Sequence, residues 1–207
     1  MMKKNINFGN YYKLINKRRS FICGIKGLKL NRDEIYFLNK FKPWGIILFS
    51  RNISNISQVS SLTNSIKKIF KDPNYPILID EEGGRVCRLS KIIDNSFFNA
   101  SMFGKLYDKD KKKFKSAIRT YIKNNSYILK KLGININTVP VLDIKRKNYH
   151  KIIGDRAYSS DPKKISIIGN FVIKEFEKNR INTVIKHIPG HGLAKSDSHI
   201  KLPIVYK

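Results

Sequence analysis

The chain has 207 residues, enough for one domain with a sizeable core. Its 41% apolar and 11% aromatic content excludes a disordered chain. A formal net charge of +27 would attract nucleic acid or anionic lipid if focused on one face, but the lysines are dispersed among Asn and Ile, so no nucleic-acid partner is expected.

Along the chain, residues 1–20 are basic but lack a continuous apolar stretch and a small-residue cleavage site, which argues against a signal peptide. Residues 20–25 (SFICGI) read as a first strand. Residues 32–41 have helix period, with Ile35, Leu38 and Phe41 near one face and Phe37 beside it. A second strand is expected at 45–49 (GIILF). A helix follows at 56–70, with Ile56, Val59, Leu62 or Thr63, Ile66 and Phe70 on one stripe. A third strand is expected at 77–80 (ILID).

Residues 81–115 are less regular, with Gly83-Gly84 followed by a polar, Phe-rich connection. The run from Lys109 to Lys113 reads as a solvated loop or a helix start. Helix period returns at 116–132, and Gly133 is a good stop. A fourth strand is expected at 137–144, its extent blurred by Pro140. A helix at 162–179 has Pro162 in its first turn, and a fifth strand lies at 182–186.

Apolar strands alternating with amphipathic helices indicate an α/β fold with a parallel sheet. Polar residues stand just after several strands: Arg51-Asn52, Asp80-Glu81-Glu82, Asp143 and Lys186-His187. A (β/α)8 TIM-barrel type of fold is favoured. A doubly wound sheet would place a Gly-rich phosphate loop after the first strand, and Gly24-Ile25-Lys26-Gly27 matches poorly. Such barrels typically need ~250 residues. About five strand–helix units are present, so the barrel is expected to be incomplete. No apolar run approaches the ~18–20 residues of a membrane span. Cys23 and Cys87 lack CxxC spacing and are expected to be buried free thiols, in keeping with a reducing compartment. A soluble, cytoplasmic protein without a membrane partner is the expectation.

Three of the four histidines fall between residues 187 and 199, in KHIPGHGLAKSDSH. His187 and His191 have HxxxH spacing, but Pro189, Gly190 and Gly192 preclude the helix that would make it a metal site. A serine-hydrolase triad through Ser198 lacks a GxSxG elbow. His150 reads as a surface residue. A His–Asp pair suits proton transfer. A carboxylic acid starts near pKa ~4 and must be raised to act as an acid at neutral pH, whereas histidine starts near ~6.5. A second constellation runs from Asp80 to Arg88, where Asp80 ends a strand and Arg85 and Arg88 supply cations. Gly154-Asp155-Arg156-Ala157-Tyr158 forms a third.

Five segments carry a resemblance: PWGIILFSRNI (43–53), LIDEEGGRVCRL (78–89), VPVLDI (139–144), GDRAYSSDP (154–162) and VIKHIPGHGLAKSDSHIKLP (184–203). Together they resemble the family 3 glycoside hydrolases, specifically the cytoplasmic β-N-acetylglucosaminidases of peptidoglycan recycling. They span nearly the whole chain in family order, as a partial N-terminal barrel domain over residues 1–207.

The resemblance implies that Asp80, Arg88, Arg156, Lys186 and His187 bind N-acetylglucosamine. It implies that His199 is the acid/base and that Asp197 orients it. The implied substrate is the muropeptide disaccharide of N-acetylglucosamine and 1,6-anhydro-N-acetylmuramic acid, cleaved with retention, with no metal or organic cofactor. The family's nucleophile is an aspartate on a later loop, and this sequence ends eight residues after His199. Two expectations follow: an enzyme completed by a separate chain, or a remnant that binds glycan without turnover.

Overall fold

The computed structural model describes residues 17–145, 152–192, 200–202 and 204. Five parallel strands form one sheet: β1 (Arg19–Gly24), β2 (Pro43–Leu48), β3 (Ile77–Ile79), β6 (Ile136–Asn137) and β7 (Asn182–Thr183). β4 (Glu81–Gly83) and β5 (Val86–Cys87) make a separate antiparallel hairpin. The helices are α1 (Arg32–Phe41), α2 (Ile56–Phe70), α3 (Ala100–Lys109), α4 (Lys111–Lys131) and α5 (Pro162–Lys178).

The sheet order β1-β2-β3-β6-β7 follows the chain without a reversal. A doubly wound sheet reverses direction at its switch point, whereas successive barrel strands are neighbours in chain order. The described residues are therefore α/β, with an open arc of the (β/α)8 type. Registers such as Ile46↔Ile77 and Leu78↔Ile136 align the carboxyl ends of the strands along one rim.

Each of these five described α-helices begins on an Asx side chain. Asn31, Asn55, Asn99, Asp110 and Asp161 all accept a backbone N–H of the first turn, which satisfies donors that would otherwise have no partner. Asn31 and Glu34 complete a reciprocal capping box. The inward faces of the helices meet the strands. Ile46, Leu48, Ile77 and Ile79 are fully buried, and Val59, Ile66, Ile118, Ile122, Leu129, Ile168, Val172 and Phe176 close over them. Each such side chain contributes about 1.5–3 kcal/mol from burial. None of the described helices is long and apolar enough to cross a membrane.

Several sequence expectations need correction. The expected irregular stretch at 81–115 holds the β4–β5 hairpin and the whole of α3. α4 starts at Lys111 rather than 116, because Asp110 ends α3 and caps α4 at once. The lysines that masked this start point into solvent while Phe114 between them is buried.

The expected strand at 137–144 keeps ladder pairing only at Ile136–Asn137. Beyond it the Val139–Pro140 peptide is cis, and one bridge joins Val141 to Lys186. Pairing fails there because Pro140 offers no N–H. β7 is likewise shorter than 182–186. Cys23 and Cys87 are free but only half-buried, one on an edge strand and the other in the hairpin. Ile35 and Ile56, expected on the apolar faces of their helices, are exposed, as is Phe37 beside the first of those faces.

Candidate active site

The rim at the strand carboxyl ends gathers Asp80 after β3, Glu82 in β4, Thr138 and Asp143 after β6, Arg156 in a 3-10 turn, and Lys186 and His187 after β7. Alternation decides which carboxylates face it, because successive side chains of an extended segment point to opposite sides. Asp80 and Glu82 face the rim. Glu81 between them turns the other way and is buried.

Lys186 sits at the centre. Its Nζ lies 2.8 Å from Asp80 Oδ1 and 2.6 Å from Glu82 Oε1, and it donates to Thr138 Oγ1 at 3.1 Å. The Thr138 hydroxyl donates in turn to Asp80. Arg156 makes a two-pronged pair with Glu82, Nε to Oε2 at 2.8 Å and Nη2 to Oε1 at 2.9 Å. Its Nη2 also stands 3.5 Å from His187 Nε2. The other ring nitrogen of His187, Nδ1, is 2.5 Å from Asp143 Oδ2. Arg88 closes the far side, its Nη2 3.6 Å from Asp80 Oδ2.

Three carboxylates therefore face three cations and an imidazole. Burial alone would push the Asp80 carboxyl up, but the Lys186 charge and hydrogen bonds from Lys186 and Thr138, with Arg88 behind, hold it below the usual range. Burial acts the same way on Glu82, and Arg156 and Lys186 overcome it. Glu82 in turn offsets the burial of Arg156 and raises its affinity for its proton. All three carboxylates are ionised at neutral pH, as Asp143 is also held low.

Exposure separates two kinds of group. The Glu82 and Asp143 side chains are 6% and 0% exposed, so they can only hold other residues in place. Asp80, Lys186, Arg156, Arg88 and His187 are 18%, 14%, 12%, 30% and 37% exposed. Together they present one carboxylate, three cationic groups and an imidazole, all partly exposed, along one rim. That combination suits a neutral ligand rich in hydroxyl groups, which donates and accepts at the same carbon.

The hairpin places Arg88. Glu81 accepts from the backbone N–H of Arg88 (2.8 Å) and of Leu89 (3.0 Å) and from Asn95 Nδ2 (3.0 Å). Asn137 of β6 bonds both backbone polar groups of Glu81, at 3.0 and 2.9 Å, and so ties hairpin to sheet. Gly83 makes the fold of the hairpin possible. Its φ is +82°, and a Cβ there would stand 2.1 Å from the Phe98 carbonyl oxygen. Burial, then Glu81, pushes the Cys87 thiol up to about 12, so it remains protonated and unreactive.

The five residues expected to bind sugar thus come together: Asp80, Arg88, Arg156, Lys186 and His187. Asp197 and His199, expected as the proton-transfer pair, lie outside the described residues, as does His150. Arg85, grouped with Arg88 in the sequence, belongs elsewhere. It pairs with Asp155 at 3.0 Å and with the carbonyls of Ile152 and Ile153. Arg51 and Asn52, also at a strand end, bond the Ile25 carbonyl and anchor the loop after β1. Sequence reasoning gave no role to Glu82 or Asp143. The i, i+2 spacing of Asp80 and Glu82 at a strand end was the available signal for the first.

Residues 14–207 match the glycosyl hydrolase family 3 N-terminal domain. The chain is 30% identical over 199 residues to β-hexosaminidase A of Pseudoalteromonas piscicida, covering 94% of this chain and 33% of the relative. It is 32% identical over 190 residues to the β-hexosaminidase of Neisseria meningitidis serogroup A, covering 90% and 51%. In structure it is similar to native NagZ from Neisseria gonorrhoeae, with a TM-score of 0.80 and 30% identity over 90% of this chain and 54% of that one. The same gonococcal protein has also been solved in complex with N-trifluoroacetyl-D-glucosamine. The chain spans between a third and about half of the length of these relatives. With the family match and the overall structural similarity in agreement, this chain belongs to glycoside hydrolase family 3 and corresponds to its N-terminal domain.

Proposed function

We propose that residues 1–207 form the sugar-binding part of the barrel domain of a β-N-acetylhexosaminidase. In this reading the enzyme removes terminal N-acetylglucosamine from muropeptides carrying 1,6-anhydro-N-acetylmuramic acid, in the cytoplasm, during cell-wall recycling. The observation that carries it is the Asp80–Lys186–Glu82–Arg156–His187 network on one rim, in which Asp80, Lys186, Arg156 and His187 are partly exposed.

Asp80 accepts hydrogen bonds from adjacent sugar hydroxyls. Lys186, Arg156 and Arg88 donate to sugar oxygens, and His187 contacts the same ring. His199 protonates the departing glycosidic oxygen and later takes a proton from water, with Asp197 fixing its orientation. Cleavage is retaining, so a carboxylate nucleophile attacks first and a glycosyl-enzyme forms. In this reading the nucleophile is an aspartate of a later barrel loop, supplied by the same protein or by a separate chain.

The test separates binding from turnover. The 207-residue chain is expected to bind N-acetylglucosamine in calorimetric titration, and Asp80→Ala is expected to weaken binding at least about tenfold, by loss of a charged acceptor. A chain with no affinity for N-acetylglucosamine overturns the reading. With the rest of a family 3 barrel supplied, a chromogenic N-acetylglucosaminide should be cleaved, and His199→Ala should abolish cleavage.

A further inference from the structure

Asp143 lies beyond β6, and its side chain is fully buried. Among the described residues its four donors all come from one short stretch. They are His187 Nδ1 at 2.5 Å, the His187 backbone N–H at 3.2 Å, the backbone N–H of His191, and that of Gly192 at 3.2 Å. One carboxylate thus gathers residues 187–192, which lead directly into the stretch carrying Asp197 and His199. Gly192 lets this stretch lie close, since a Cβ there would stand 2.5 Å from the Ile144 carbonyl oxygen.

The partners decide where the proton sits. Burial would push the Asp143 carboxyl up, but the hydrogen bonds from His187 and His191 hold it below the usual range. An ionised carboxylate only accepts, so the proton in the short bond belongs to His187 Nδ1. In the neutral ring Nε2 is then an acceptor. It lies 3.5 Å from Arg156 Nη2, on a side chain that is 37% exposed.

We propose that Asp143 is a positioning residue that fixes His187 in the Nδ1–H form, so that its Nε2 presents an acceptor to a ligand hydroxyl. The same carboxylate holds His187, His191 and Gly192 together, immediately before the sequence that carries Asp197 and His199. The ligand chemistry selected is an O–H donor; a bare carbonyl or ether oxygen at that position is not served. This ligand assignment rests on the sugar-binding reading above, but the assignment of the proton does not.

The test is ring 15N NMR of the intact 207-residue chain without sugar, at a pH near 8 where an ordinary histidine of pKa ~6.5 is neutral. His187→Gln identifies the resonance. Wild-type His187 is expected to show a protonated Nδ1 and an unprotonated Nε2. Asp143→Asn supplies an amide N–H to Nδ1, so the proton should move to Nε2, and N-acetylglucosamine affinity should fall at least tenfold.

A wild-type ring protonated at Nε2, or a tautomer unchanged in Asp143→Asn, overturns the proposal. The wild-type spectrum alone decides it if the variant does not fold. A wild-type chain with the expected tautomer but no sugar affinity supports the role of Asp143 and rejects the sugar site instead.

Discussion

Lys186 brings one ammonium within 2.8 Å of Asp80 and 2.6 Å of Glu82, so two largely buried carboxylates depend on it. Removing one member of such a group leaves charge uncompensated at a cost of about 3–5 kcal/mol in a dry interior. Here Arg156 still serves Glu82, and Asp80 is partly solvated. Lys186→Met should therefore destabilise by about 2–3 kcal/mol, read as a lower urea midpoint at unchanged slope.

The pH dependence follows from the same groups. Asp80, Glu82 and Asp143 all have carboxyls held below their ordinary values of 3.8, 4.5 and 3.8. The folded state then binds fewer protons than the unfolded state. The stabilisation is complete above those ordinary values and is lost as pH falls through the lower folded ones. Urea midpoints should be level from about pH 7 to 5 and fall below about pH 4, and Lys186→Met should fall less steeply. An unchanged acid slope in that variant would contradict the pairing.

At the scale of elements, the polar sequence around Lys109–Lys113 hid a helix junction. Its organiser is Asp110, whose side chain accepts from the backbone N–H of Lys112 and Lys113 at 2.9 and 3.0 Å. Asp110→Ala should cost about 1 kcal/mol and lower the melting temperature by about 2–4 °C in a domain of this size. Asp110→Asn, which keeps the acceptor, should recover most of it.

Helices α1, α2 and α5 were legible because an Asx cap precedes a run with clear apolar period. α3 and the start of α4 were not, because solvated lysines dilute that period. Strands β6 and β7 were overextended for another reason. Apolar residues continue past them, but Pro140 offers no N–H, and beyond it pairing returns only as the Val141–Lys186 bridge. Hydrophobic pattern reports burial, while a ladder also needs donors.

At the scale of the whole molecule, β1 and β7 stand at the two ends of the sheet. Ile22 on β1 is 44% exposed, and Val184 and Ile185 after β7 are 40% and 41% exposed. Strand edges left unpaired among the described residues, with apolar side chains, favour association, while a net charge of +27 opposes it. Raising salt from about 0.05 to 0.5 M shortens the screening length severalfold and removes the repulsion first. Sedimentation of the 207-residue chain should show self-association growing with salt, and Ile185→Lys should reduce it. Association that weakens with salt would instead point to charge-mediated contacts.

From the sequence by itself came the α/β class, the family resemblance and the five residues at the rim, because each rests on local pattern or contiguous motif. Asp80 and Lys186 could be named separately, 106 positions apart, but not as partners. Only the tertiary structure decided that one ammonium joins Asp80 to Glu82, that Arg85 leaves the site while Arg88 stays, and that Asp143 governs His187. Those outcomes depend on which strand ends become neighbours and on which face of an extended segment each side chain takes. Strand order and alternation bring together groups that the sequence keeps far apart.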